Sequence, residues 1–199
     1  MARAIEKRGK NVIRYTDGCL RIDNLIASYP HVDEPWAKNE KDKPKFSITG
    51  LGDKETHAEA KKFCVEIIDE LLAEKKMGKI GAEHKFIRNG DDSGKDENEG
   101  RWIIKASENA NRRPPVRDQR GNLIDQKKIA DTIYPGCIVN ILIRPWAQNN
   151  EHGKKINANL IGVQFVRDGE RLGEAPIDDE DAWDEIPVAD DEFGDDDDL

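Results

Sequence analysis

Apolar residues recur along this chain with two different periods. From Cys19 to Tyr29 they alternate with polar residues, with Leu20, Ile22, Asn24 and Ile26 on one side, which predicts a strand that Pro30 and Pro35 bring to an end. A second strand begins at Lys45, where Phe46 and Ile48 share a face. The period then changes. Ala60, Phe63, Cys64, Ile67, Ile68 and Leu71 stand three or four apart and form one stripe, which predicts a helix over about 54–77. Asp53 or Thr56 can cap its start, and Lys75, Lys76 and Gly78 suit its end.

Beyond the helix, His84–Arg88 reads as a short strand and Arg101–Ser107 as a longer one. Between them, Asn89–Gly100 contains no apolar residue and reads as a loop. Pro114 and Pro115 exclude regular structure over 109–122, and Asp118–Gly121 is turn-forming. A short helix is predicted over 127–134. The two longest strand patterns are 136–148 and 155–169, joined by a hairpin loop at 149–154. On the first of these, Cys137, Val139, Ile141 and Ile143 form an apolar face. Ile138, Asn140, Leu142 and Arg144 lie opposite, with Trp146 beyond. The predicted class is mainly β: a five-stranded OB-type barrel with one packed α-helix. Periodicity alone also permits another α+β sheet.

Charge divides the chain more sharply than its formal net charge of −9 suggests. From Glu174 onward there are fourteen Asp and Glu and no Lys or Arg. Removing those from the 41 acids leaves 27 against all 32 bases, so the body carries +5 and the tail −14. This predicts three regions: a basic flexible arm over 1–10, a nucleic-acid-binding domain over 11–173, and a disordered acidic tail over 174–199. Three widely spaced cysteines, Cys19, Cys64 and Cys137, fit free thiols in a reducing compartment. No apolar stretch reaches the roughly 20 residues of a membrane helix.

Catalytic patterns are weak. His57-Ala58-Glu59 matches half of the zinc deaminase signature, but the required Pro-Cys-x-x-Cys is missing and Cys137 falls in the wrong frame. Asp91-Asp92 lies in the polar loop, where a solvated turn is the simpler reading. The expectation is a non-enzymatic protein with no metal and no cofactor. Single-stranded nucleic acid, in contrast, is held by cations that follow phosphates and by aromatic faces that stack on bases, and the body interleaves both. The candidate platforms are Tyr29, Trp36, Trp102 and Trp146, with a place in the core the alternative for Trp102 and Trp146; the candidate phosphate contacts are Lys105, Arg112, Arg113, Arg144, Lys154 and Lys155, with an ordinary solvated face the alternative for Lys105 and Arg144. In the tail, Trp183 and Phe193 stand among acids that end in Asp195, Asp196, Asp197, Asp198 and Leu199. That strip fits a partner's basic, apolar pocket or the body's own cations; a solubility tail is the plainer alternative.

Three stretches carry a resemblance: 26–51, with "ASYPHVDEPW" followed by "KPKFSIT"; 111–125, "NRRPPVRDQRGNLID"; and the pair "YPGCIVNILIRPWAQNN" and "NANLIGVQFVRDGERLG". In order and spacing they resemble the single-stranded DNA-binding proteins of tailed bacteriophages, a group first catalogued as a domain of unknown function. The resemblance spans most of Cys19–Gly173. It implies an OB fold, single-strand binding without catalysis, and a role in phage DNA replication or recombination in the cytoplasm of the infected bacterial host. It also implies an acidic tail that recruits replication proteins such as a polymerase or helicase. Family tails often close on an aromatic residue; here Leu199 is last and Phe193 stands six positions earlier. The alternative is an acidic-tailed interaction protein, a DNA mimic or chaperone, with no strand binding of its own. An RNA-binding OB domain is a third reading. The sequence leaves the oligomeric state open, a homodimer being one compatible state.

Overall fold

The structure, a computed structural model, describes residues 2–173. Nine strands and two helices follow one another as β1 (Ile5–Gly9), β2 (Val12–Tyr15), β3 (Leu20–Trp36), β4 (Lys45–Asp53), α1 (Ala58–Glu74), β5 (Ile87–Asn89), β6 (Arg101–Asn109), β7 (Val116–Arg117), α2 (Gln126–Thr132), β8 (Ile138–Asn150) and β9 (Gly153–Arg167). The fold is mainly β and of OB type. Five strands close a ring: β3 pairs with β4, β4 with β6, β6 with β9, β9 with β8, and β8 with β3. Four of these pairings are antiparallel; the fifth, β6 with β9, is parallel through Ser107 and Asn159. Residues 85–86 fill the space beside that short contact. Lys85 bridges to Ile156 of β9, and the Phe86 carbonyl accepts from the Lys105 amide of β6 at 2.9 Å.

Alternation decides what the ring encloses. Val139, Ile141 and Ile143 of β8 point inward with Ile156, Ala158 and Leu160 of β9, and all six are buried. Phe46 and Ile48 of β4 and Ile104 and Ala106 of β6 are buried from the opposite wall. The helical stripe Ala60, Phe63, Cys64, Ile67 and Ile68 belongs to the same core, as does Ile129 of α2. α1 is shorter than the expected 54–77. Asp53 accepts from the amides of Glu55 and Thr56, holding a turn ahead of it. The second helix is started by Asp125, whose side chain accepts from the Lys127 amide at 2.9 Å.

Two sequence expectations are corrected. β3 does not keep one alternation: Leu20 and Ile22 are buried, but so are Leu25 and Ala27. Asn24 lies between them with φ +59°, and this left-handed residue shifts the inward face by one position. The strand also runs past both prolines to Trp36. Second, the basic arm is not free over its whole length. Residues 5–9 form β1 on β2, and their charges are matched to α1: Lys7 meets Glu66 at 3.2 Å, while Arg14 of β2 contacts Glu6 and Glu70. His57, of the half-matched zinc signature, is buried. Its Nε2 lies 2.8 Å from the Asp23 carbonyl and its Nδ1 2.9 Å from the Thr56 hydroxyl. Both ring nitrogens are engaged within the protein, so this histidine is structural.

Ile143 sits at the seam where β8 meets both β3 and β9. Ile143→Ala is expected to cost about 2–5 kcal/mol of unfolding free energy, read from urea titration. Leu123→Ala, on a side chain 66% exposed, should stay within about 0.5 kcal/mol.

Candidate nucleic-acid interface

The outward faces of β4, β6 and β9 carry a polar, basic groove. In the full register between β4 and β6, Thr49 faces Lys105 and Ser47 faces Ser107. Neighbouring inward positions are filled by Ile48, Ile104 and Ala106, so these four side chains must point out. The groove over them has a volume of about 660 Å³. Among the described residues six cations line it, Lys38, Lys85, Arg88, Lys95, Lys105 and Lys155, against the single carboxylate of Glu83. It runs without a break into a second hollow under Asn89–Asn98 and, across Ser107, Lys155 and Asn157, into a third that reaches Trp146.

Two aromatic groups stand at its rim, and both owe their position to irregularities in β3. Tyr29 has φ +45° and precedes Pro30. An L-residue rarely adopts that backbone. The register with β4 breaks between Ser28 and His31, and the Tyr29 ring is turned outward, 57% exposed. Its hydroxyl accepts from the Lys95 ammonium at 2.9 Å, and that ammonium lies 4.6 Å from the ring centroid. A second register break, between His31 and Trp36, exposes Trp36. The His31 ring stacks on one Trp36 face at 4.7 Å and 7°, leaving the other face open. Trp146, 40% exposed, is a third platform at the far end.

Crowding of like charge is visible in Lys105. Burial lowers its pKa from the ordinary lysine value, and Arg88, Lys95 and Lys38 lower it further. His31 is also shifted down, by burial, with Asp33 acting in the opposite sense. The part of the Lys105 shift that comes from Arg88, Lys95 and Lys38 is one that a bound polyanion would offset.

The sequence candidates separate. Tyr29, Trp36, Lys105, Lys155 and Trp146 come together along this groove. Trp102 does not: it lies on the inward side of β6, packed against the core, with the ammonium groups of Lys54 and Lys61 at 5.1 and 5.3 Å over its ring. Lys154 is separated from Lys155 by the strand pleat and donates to the Met77 carbonyl at 3.4 Å. Arg112 lies in the turn after β6. Arg113 caps the Phe46 ring at 4.9 Å and donates to the Asp33 carbonyl. Arg144 points out beside Asp17, 3.7 Å away, beyond the groove. Trp183, Phe193, Asp195–Asp198 and Leu199 lie outside the described residues.

Sequence reasoning missed Lys38, Lys85, Arg88, Lys95 and His31. Lys95 had the least signal, being a lone base in an acidic loop. That loop is in fact built: the Asp91 carboxylate accepts from the Gly100 amide at 2.7 Å and pairs with Lys54, and the Ser93 hydroxyl donates to the Gly90 carbonyl at 2.7 Å. The loop thereby holds Lys95 against Tyr29.

An OB-type ring whose outer face carries exposed aromatic rings among cations defines a nucleic-acid-binding class of protein. Comparison with known proteins makes the assignment specific. Residues 20–193 match the family described as Enterobacter phage Enc34, ssDNA-binding protein, and the chain belongs to that family. A solved structure of the single-stranded DNA-binding protein from bacteriophage Enc34 in complex with ssDNA is 38% identical, with a TM-score of 0.80, covering 86% of this chain and 98% of that one. Putative protein p50 of Acyrthosiphon pisum secondary endosymbiont phage 1 is 25% identical over 182 residues, 87% of this chain and 96% of that protein. The single-stranded DNA-binding protein gp2.5 of bacteriophage T7 shares the fold at a TM-score of 0.52 and 13% identity, over 84% of this chain and 98% of that one. Among the described residues no helix is long and apolar enough to cross a membrane, and no group of three or more His, Cys, Asp or Glu could hold a metal ion.

The electrostatics of the groove are directly measurable. Arg88→Ala removes a like charge from Lys105, so the Lys105 pKa should rise toward the usual value, read by NMR titration of its side chain.

Proposed function

We propose that this protein binds single-stranded DNA without sequence preference, in the groove between the 89–100 loop and Trp146. The observation that carries this is the meeting of six cations, one carboxylate and exposed Tyr29 and Trp36 in one groove. Bases stack on Tyr29, on the open face of Trp36 and on Trp146. Phosphates follow Lys105 and Lys155, with Lys38, Lys85, Arg88 and Lys95 alongside. No bond is made or broken; the strand is covered and held extended. The 38% identity to a protein solved with ssDNA supports the same reading. The setting is phage DNA replication or recombination in the cytoplasm of an infected bacterium.

Residues 174–199 have a part in this proposal. Fourteen carboxylates on one strip compete with phosphate for the body's cations and so weaken non-specific binding. Apolar residues among them, Trp183 and Phe193 with Leu199 at the end, give replication proteins such as a polymerase or helicase something to hold.

Titration with a dT oligomer tests the groove. Tyr29→Ala and Trp36→Ala should each lose the roughly 1–3 kcal/mol that stacking of one base contributes, about 5- to 150-fold in Kd. Trp102→Ala should leave Kd within about twofold while lowering the unfolding midpoint. Equal affinity for all four proteins would dismiss the groove as the binding site. Phosphate beside Lys105 raises its pKa, so binding takes up a proton. Affinity should therefore fall as pH rises through the lowered Lys105 pKa of the free protein toward that of the complex. A chain ending at Gly173 should bind more tightly than the full chain, with the largest difference at low salt.

A further inference from the structure

A second basic surface lies beyond the groove on the same outer wall. On β8 the outward positions continue past Trp146 through Arg144, Leu142 and Asn140. Their partners across the ladder are Asn157 for Trp146, Asn159 for Arg144 and Gly162 for Leu142. Outward residues on one strand recur about every 6.6 Å, so Trp146 to Leu142 spans roughly 13 Å of continuous sheet. At its far end lies a hollow of about 310 Å³, with Leu142 and Ile161 in its apolar floor and Arg3, Arg21 and Arg117 at its border.

Charge on this surface is in excess. Arg3 and Arg144 share one carboxylate, Asp17. Arg21 is held bidentate by Asp23 at 2.8 and 2.9 Å. Arg117 donates to the Gly121 carbonyl at 2.9 Å, and among the described residues it forms no ion pair. Four guanidinium groups thus meet two carboxylates. Planar guanidinium forks suit phosphate oxygens better than ammonium groups do. A peptide rich in carboxylates would also suit four arginines. Position on the sheet decides between them: Trp146 and Arg144 are successive outward residues of β8 leading away from the groove, and their ladder partners Asn157 and Asn159 offer hydrogen bonds alongside.

We infer that the single strand does not leave the protein at Trp146 but continues along the outer face of β8 and β9 to the patch formed by Arg3, Arg117 and Leu142, which is a second segment of one extended site. This rests on the proposed groove and lengthens it. The groove takes the first nucleotides by stacking. The patch takes the next phosphates by guanidinium contact, with a base or sugar resting on Leu142 and Ile161. Arg144 contacts the strand between the two segments.

Binding of dT oligomers of graded length to the full chain separates the two segments, beginning at about 4 nucleotides, the lower end of the roughly 4–16 that an OB fold covers. Wild type, Arg3→Ala/Arg117→Ala and Lys105→Ala are compared, with circular dichroism melting as the folding control; both arginines are exposed. The double variant should bind short oligomers as wild type does but lose about tenfold or more on long ones. Its salt slope on long oligomers should fall by about 1.4, for two phosphate contacts. Lys105→Ala should weaken binding at every length. If the double variant matches wild type at all lengths, or loses equally at all lengths, the extension is overturned. If it binds DNA more tightly at all lengths, the patch is the seat of the acidic residues 174–199 and the strand path is again overturned. A wild-type protein that binds no oligomer would overturn the groove itself, a different result from any of these.

Discussion

The rest of the structure depends on one strand keeping two partners. β3 pairs with β8 over Leu20–Ile26 and with β4 over Ile26–Trp36. Without both pairings the ring has no closure and the inward faces of β8 and β9 have nothing opposite them. A straight strand of 17 residues cannot wrap a small core. β3 bends through register shifts, with Asn24 and Tyr29 in the left-handed region. A left-handed L-residue costs roughly 1–2 kcal/mol. Burial of Leu20, Ile22, Leu25 and Ala27 on one continuous core offsets that cost.

The same bend shapes the proposed binding surface. A strand with unbroken alternation would place Tyr29 with its neighbours in the pleat. The shift at Ser28–His31 instead turns it outward at the groove's rim, and the next shift exposes Trp36. The closure that builds the core and the irregularity that presents the aromatic groups are one feature. Lys95 completes it from a distant part of the chain by hydrogen bonding the Tyr29 hydroxyl.

Electrostatics act on two scales. Within the groove, burial first and then the neighbouring cations Arg88, Lys95 and Lys38 lower the Lys105 pKa, a repulsion that a phosphate chain would relieve under the proposed function. Across the molecule, a body of +5 is joined to a tail of −14, so under the proposed function the same cations would have two anionic ligands to choose between. Salt screens both contests, with a Debye length of about 8 Å at physiological ionic strength. The inferred second segment at Arg3, Arg21, Arg117 and Arg144 would extend this to the other end of β8 and β9.

The strand faces were legible in the sequence wherever alternation was regular. Val139, Ile141 and Ile143 inward and Arg144 and Trp146 outward follow from period two alone, and the stripe of α1 follows from period 3.6. Turn chemistry at Asp118 and the acidic character of 174–199 were likewise local properties. Pairing was not local. Only the tertiary structure decided that Trp102 packs inward beneath Lys54 and Lys61, and that Lys85, Arg88 and Lys95 join Lys105. The physical reason is that alternation assigns a residue to a side of its strand, whereas ring closure and the bulges in β3 decide what that side faces.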